Sequence, residues 1–508
     1  MVGRVVVLML LAAAIASQQL HRIPLDKWEF KVAGKFEDKY YSANVPSTVH
    51  LDLLNHSLIK DPFYKTQVNE VTWLANAGVV YRTTFDKPAE LAVEAAELVF
   101  EGLDTYATVV LNGQEIALTN NAFVKHCLPL KWKSGSNTLE VHFSQSPNRD
   151  ESDQASIERL PFAYGHTRKA AYQHGWDWAP NLVTVGIWRP VYILCNTTTR
   201  LDYVWIRNKV LTPEEATLNV AVVLTSQQKH FDNQIAIEVD GSLFGTWNIT
   251  EEVDYHDITI KQPKYWWPRN VGNPNVYNIT IKLLDKQGLQ VIDVLHQIYG
   301  IRTVELNTTD GGFQFIVNGH PVYAKGANYV PPDMFHPRFT NPAFKPGFSL
   351  EQYMDTIVDS NYNMIRVWGG GQYETNEFYE ELTKRGIMAF HDFMFSVNIY
   401  PGHEKFLRNC ELELKQQIRR LRNYACIALW SGNNEILQGI KEWGWGAASY
   451  TKNYDLLFEK LLPKILSIES PDISYIPSSP QFGSGFSGRT GDIHSWSVWA
   501  GGSLFDNY

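Results

Sequence analysis

Residues 426–435 read Cys-Ile-Ala-Leu-Trp-Ser-Gly-Asn-Asn-Glu, a short unbroken apolar run closed by amides and a carboxylate. A run of this length with no polar alternation suits a strand buried on both faces, as in a parallel sheet covered by helices. Just upstream, FLRNCELELKQQIRRLRN (406–423) sets Leu407, Cys410, Leu414, Ile418 and Leu421 at steps of three and four, one face of a helix. The same rhythm extends in both directions. Strand-like PVYAKGANY (321–329), NMIRVWGG (363–370), GIMAFHDF (386–393), DISYIPSS (472–479) and GDIHSWSVW (491–499) alternate with helical LEQYMDTIVDS (350–360) and NEFYEELTKRG (376–386). Such alternation implies parallel strands with crossover helices, most simply a (β/α)8 barrel, here over 304–508. Six strands can be counted, so the expected barrel is incomplete, with about six of the eight strands of that fold.

Upstream of residue 304 the period changes to two. From Val79 to Thr198, segments such as VVYRTTF (79–85), ATVVLNGQEI (107–116) and NTLEVHF (137–143) alternate apolar and polar residues, and Asn112-Gly113 marks a hairpin. These predict a jelly-roll-like antiparallel sandwich over 18–198. A second set, including ATLNVAVVLT (216–225), QIAIEVDG (234–241) and YNITIKLLD (277–285), predicts a smaller immunoglobulin-like sandwich over 199–303.

At the N-terminus, Arg4 precedes twelve apolar residues from Val5 to Ala16. That is too short to span a bilayer, and Ala14 and Ala16 form an A-x-A-like cleavage site, so residues 1–17 are expected to be a signal peptide. Five Asn-x-Ser/Thr sequons at Asn55, Asn196, Asn248, Asn278 and Asn307 fit a secreted or lysosomal glycoprotein. No later apolar run is long enough for a membrane helix, so no membrane partner is expected. The 508 residues carry a net charge of −9, which argues against nucleic acid and anionic membranes as partners. Four cysteines are too few for a disulfide scaffold, although one or two bridges remain open. Sixteen Trp are many for this length and suit stacking on sugars, though most Trp in any protein are core. No HExxH, CxxC, Walker or GxSxG motif occurs, and no cofactor or metal is expected.

In a barrel, catalytic residues stand where strands end at the C-terminal face. Glu435 closes its strand beside two amides, placed to give and take a proton; the plainer reading is that it caps the following helix. WSGNNE (430–435), with RVWGGG (366–371), HDFMF (391–395), GWDWAP (175–180), GIWRPV (186–191), YGIRTVEL (299–306) and GDIHSW (491–496), resembles the motif set of β-mannosidases of glycoside hydrolase family 2. The resemblance covers nearly the whole chain after residue 17. It implies retaining hydrolysis of terminal non-reducing β-D-mannose in oligosaccharides, with Glu435 as acid/base, Asn434 on the 2-hydroxyl, Asp177 reaching other hydroxyls, and Trp368, Trp443 and Trp496 lining the sugar subsites. For Asp177 the plainer reading is a turn residue between two core Trp, and for each Trp it is barrel core.

The chain departs from the family pattern at Tyr424-Ala425-Cys426, where relatives commonly have His-Pro-Ser, at Phe390-His391 for Trp-Gln, and at Ala179 for Gly. The family's nucleophile is a Glu in a Ser-Glu-Tyr/Phe-Gly motif on the seventh strand. No such motif follows Trp496, and Asp506 lies too close to that residue to reach a next strand. The expectation is therefore a chain truncated before the nucleophile strand. Two readings stay open: an incomplete gene model of an ordinary β-mannosidase, and a short lectin-like product that binds mannosides without cleaving them. A different family 2 activity fits less well, because RVWGGG and WSGNNE together point to mannose. Oligomeric state cannot be read from these residues.

Overall fold

The computed structural model describes residues 20–88, 95–133, 135–144, 159–195, 198–226, 231–344, 349–481 and 491–504. The expected signal peptide, the Asn196 sequon and Asp506 lie outside them.

Period-two segments of the first third pair into two antiparallel sheets. A six-stranded sheet runs Tyr41–Ala43, Trp28–Val32, Val79–Asp86, Ser136–Ser144, Tyr106–Leu111, Gln114–Asn120. A four-stranded sheet runs His21–Pro24, Val191–Cys195, Ala96–Phe100, His126–Pro129. Ser136–Ser144 shows the cause: Asn137, Leu139, Val141 and Phe143 are buried while their neighbours are not. Asn112 (φ 54°) and Gly113 (φ 81°) supply the two left-handed residues that a tight hairpin needs. Phe30, Tyr81, Leu98, Phe100, Val109 and Val141 fill the space between the sheets.

The second sandwich packs the sheet Thr199–Leu211, Glu215–Ser226, Val253–Lys261 against Ser242–Asn248, Gln234–Val239, Tyr277–Leu284, Val291–Tyr299. Its core is aliphatic, with Val220, Ile235, Ile237, Ile279 and Ile281 buried. The strands Ser242–Asn248 and Val291–Tyr299 were not among the segments expected to be extended. Both are edge strands of mixed exposure, so their alternation is blurred.

Five parallel strands then follow in sequential order: β1 (Gly326–Tyr329), β2 (Met364–Val367), β3 (Met388–Asp392), β4 (Ile427–Ser431) and β5 (Tyr475–Ile476). The crossovers include α1 (Leu350–Asp359), α2 (Asn376–Arg385) and α3 (Glu404–Leu421). A Ser349–Gln352 capping box starts α1, and Gly386 in the left-handed conformation ends α2. Helix α3 buries Cys410, Leu414, Ile418 and Leu421 of the predicted face, while Leu407 is only half-buried and its neighbour Phe406 is buried instead, together with one charge, Glu413. All four cysteines are free thiols. No helix among the described residues is long and apolar enough to cross a membrane.

Two expectations for this region need correction. PVYAKGANY is not one strand: His320–Val322 belongs to a small antiparallel sheet with Val304–Asn307 and Gln314–Val317, and only Gly326–Tyr329 joins the parallel sheet. GDIHSWSVW is not a sixth strand either, since residues 491–504 form bends and turns with a single isolated bridge at His494. The two-residue β5 offers little backbone edge for a neighbour, and the polar side chains of the segment turn to other partners.

The first sandwich is keyed onto the helices and loops of the parallel sheet. Arg168 donates two hydrogen bonds to Glu413 on α3, at 2.6 and 2.9 Å, and Asn121 and Tyr373 complete the carboxylate's shell at 2.9 and 3.0 Å. Tyr164 donates to the Val397 carbonyl, and the backbone N–H of Tyr172 donates to Gly370.

Candidate active site

Glu435 follows the end of β4, where parallel pairing continues beyond the strands through isolated bridges from Asn434 to Ser396 and to Ser479. This extension carries the side chains of three loops to one place. An added Cβ on Gly432 would strike the Pro477 carbonyl, so the close approach of the chain after β4 to the chain after β5 needs glycine there.

Glu435 stands at the N-cap of α4 (Ile436–Glu442), yet its side chain makes no cap hydrogen bond. It turns into a polar cluster instead. Oε1 accepts from His494 Nδ1 at 2.8 Å and from the Trp496 indole N–H at 3.3 Å, and Oε2 accepts from Asn434 Nδ2 at 3.2 Å. Its backbone, at φ 62° and ψ 13°, occupies the left-handed region that disfavours a Cβ. Strain of this kind persists where surrounding contacts over-determine a side chain.

Asn434 is equally constrained, donating to Ser396 Oγ at 3.1 Å and accepting from Arg366 at 2.9 Å. Arg366, near the end of β2, also donates to Asp392 Oδ2 at 2.6 Å and to Asn328 at 3.0 Å. Asp392 closes β3 and takes the Gly369 N–H at 3.0 Å. Burial by itself raises the Glu435 carboxyl, but the hydrogen bond from His494, then Trp496 and Arg366, outweigh it and hold the group below the ordinary carboxylate range. Burial dominates at Asp392, which lies above its usual value despite Arg366, Ser431 and Gly369.

Asp177 is an exposed residue at the turn of a short hairpin, His174–Trp176 with Ala179–Asn181. The flanking rings anchor that turn to the parallel-sheet region: Trp176 meets Trp368 edge-on at 4.8 Å and Trp178 does so at 5.7 Å. Trp368 is therefore a buried contact between the first sandwich and that region. Trp496 is half exposed and touches Glu435. Trp443 stays outside the hydrogen-bonded cluster, 41% exposed after α4, with its ring edge-on to Trp445 at 5.4 Å. The sequons at Asn55, Asn248, Asn278 and Asn307 are all exposed.

Arg366, Asp392, His494, Ser396 and Ser479 join the site without having been singled out from sequence. Arg366 and Asp392 carried a usable signal, being polar residues near the ends of apolar strands, the same property that marked Glu435. The serines carried none.

As built, the cluster can hold a carboxylate ready to exchange a proton beside an amide able to bind a hydroxyl. The one other carboxylate wired into it among the described residues, Asp392, is buried and clamped by Arg366.

Residues 28–189 match the glycosyl hydrolase 2 galactose-binding domain-like model, and residues 199–302 match the glycosyl hydrolases family 2 model. "Beta-mannosidase B" of Thermothelomyces thermophilus is 31% identical over 520 residues, covering 94% of this chain and 59% of the relative. That of Aspergillus clavatus is 31% identical over 526 residues, covering 95% and 60%. The chain thus spans about three fifths of the length of these relatives. The crystal structure of a β-D-mannosidase from Dictyoglomus thermophilum superposes with a TM-score of 0.85 at 33% identity, covering 96% of this chain and 61% of that one. An exo-chitosanase of Amycolatopsis orientalis, at 18% identity and a TM-score of 0.67, shares the fold. With two family domains in tandem and 31% identity to a relative over 94% of this chain's length, the chain belongs to glycoside hydrolase family 2.

Proposed function

We propose that this chain contributes the sugar-recognising and acid/base parts of a β-mannosidase, which removes terminal non-reducing β-D-mannose from oligosaccharides and glycoprotein glycans with retention of configuration. The observation that carries the reading is the Glu435 carboxylate at the C-terminal end of a parallel strand, held by Asn434, His494 and Trp496. In this role Glu435 protonates the glycosidic oxygen and then activates water. Asn434 takes the 2-hydroxyl, a contact that strengthens as the oxocarbenium-like transition state forms. Mannose carries that hydroxyl axially, so the same contact bears on specificity. Asp177 reaches other hydroxyls from its hairpin tip, the exposed rings of Trp443 and Trp496 offer faces to the sugar, and Trp368 lines the subsite from its buried place against the Asp177 hairpin. Two-carboxylate catalysis needs no cofactor.

Retention requires a second carboxylate about 5 Å from the first. Asp392 is a poor nucleophile, because its Arg366 ion pair and full burial remove it from the substrate. The same fact favours a second reading, mannoside binding without cleavage. The secretory route, to the lysosome or the cell exterior, is part of the proposal and is supported by four exposed sequons. A mobility shift of the secreted chain on treatment with an N-glycan-removing amidase tests it, and no shift rejects it.

Activity is tested with p-nitrophenyl β-D-mannoside on the chain ending at Tyr508 beside a version extended by its in-frame downstream sequence. Turnover by the extended form alone, abolished by Glu435→Gln, supports the hydrolase reading. Turnover by the 508-residue chain shows that a carboxylate within it is the nucleophile. Mannoside binding with no turnover by either form supports the lectin-like reading, and neither binding nor turnover rejects both.

A further inference from the structure

The ring of His494 is engaged at both nitrogens. Nδ1 lies 2.8 Å from Glu435 Oε1, and Nε2 lies 2.9 Å from Ser479 Oγ. A carboxylate oxygen can only accept, so Nδ1 carries a hydrogen. Ser479 is fully buried, and a buried hydroxyl gives its proton to an acceptor; the partner at hand is Nε2, which accepts only when it is bare. The serine is itself tied to the carboxylate's own residue, because the Glu435 N–H donates to the Ser479 carbonyl at 2.8 Å and the Ser479 N–H donates to Asn433 at 2.9 Å. Backbone and side chains together close a ring through Glu435, Ser479 and His494.

The order serine, histidine, glutamate is that of a hydrolase triad, but complete burial denies Ser479 access to any substrate. The chain of hydrogen bonds therefore serves the carboxylate. We propose that Ser479 and His494 are positioning residues for Glu435: the hydroxyl holds His494 as its neutral Nδ1–H tautomer, and that N–H aims Oε1. With Trp496 also donating to Oε1, both of that oxygen's lone pairs are engaged, so the proton that Glu435 exchanges moves on and off Oε2. The charged groups facing the cluster from neighbouring strands are Arg366 and Asp392. The role in turnover rests on reading Glu435 as the acid/base; the tautomer does not.

The test begins with long-range 1H–15N correlation spectra of the 15N-histidine-labelled 508-residue chain, in which the His494 signals are those lost in His494→Asn. The expected pattern is Nδ1–H with a bare Nε2, and since Glu435 still holds Nδ1–H in Ser479→Ala, the loss of the hydroxyl should let Nε2 take up a proton, so that the doubly protonated ring persists to higher pH than in the parent chain. An Nε2–H pattern, or spectra unchanged by Ser479→Ala, overturns the proposal whether or not any mannoside is cleaved. In whichever form turns over p-nitrophenyl β-D-mannoside, His494→Phe is expected to lower kcat by about ten-fold or more with KM within about two-fold, and to move the alkaline limb of the rate profile to higher pH. His494→Asn, which keeps an N–H near the Nδ1 position, should recover part of both. An alkaline limb that stays in place in His494→Phe overturns the role in turnover. Failure of every form to cleave the mannoside counts against the hydrolase reading, while the tautomer still decides the positioning role.

Discussion

Asn434 joins three strand ends through one side chain, since its amide contacts Arg366 near the end of β2, Ser396 after β3 and Glu435 after β4. Its replacement should therefore do more than remove a sugar contact. Asn434→Ala is expected to lower kcat/KM for p-nitrophenyl β-D-mannoside by roughly 10²-fold or more, the scale set by losing a hydrogen bond that tightens in the transition state. The 2-deoxy analogue, which lacks the hydroxyl concerned, should lose less; equal losses on the two substrates would assign Asn434 to architecture alone. Glu435 was legible as a candidate because a carboxylate after an apolar strand has few structural reasons to be there. Its partners were not, because hydrogen bonds between β4, β5 and residues 494–496 join positions distant in sequence.

At the scale of elements, α3 does two jobs on one face. Leu414 and Ile418 pack into the core beside the parallel sheet, and Glu413 receives Arg168, Asn121 and Tyr373 in a fully buried cluster. A buried pair is neutral or better when complete but leaves an uncompensated charge when halved. Glu413→Ala should therefore destabilise the chain by about 3–5 kcal/mol, as much as the roughly 2–5 kcal/mol of Leu414→Ala. Urea denaturation midpoints of the two variants provide the comparison. If Glu413→Ala loses under about 1 kcal/mol, the Arg168 contact does not hold the sandwich to the parallel-sheet region. The helical period predicted the apolar face of α3 and could not predict Glu413, because its partners come from the first sandwich. The same limit explains the edge strands of the second sandwich and the segment 491–499, which its rhythm suggested as a strand and which makes only an isolated bridge at His494.

For the molecule as a whole, acid is the predicted weakness. His50 and His391 are buried and, chiefly by burial, their ring values fall to about 3. The unfolded chain takes up those protons near pH 6.5 and the folded chain does not, so stability falls as pH drops from about 6.5 toward about 3. Glu435 acts in the same direction: its folded value lies below the unfolded one, so its stabilising share is full above the unfolded value and is lost as pH falls through the folded one. Each buried histidine accounts for up to about 3 kcal/mol between pH 7 and pH 4.5. His391→Gln, the residue common in relatives at this place, should flatten the dependence of the urea midpoint on pH, whereas an unchanged slope would show that His391 is not the group concerned. Read from its own residues, the chain declared its three-part layout, the turn at Asn112-Gly113, the apolar faces of its helices and the carboxylate of Glu435, because strand and helix periods, turn dihedrals and strand-end chemistry are local properties. Only the tertiary structure decided that Trp368 is wedged between Trp176 and Trp178, that Arg168 meets Glu413, and that His494 and Ser479 close on Glu435. Those pairings join segments tens to hundreds of residues apart, and no local preference specifies which buried polar group will meet which.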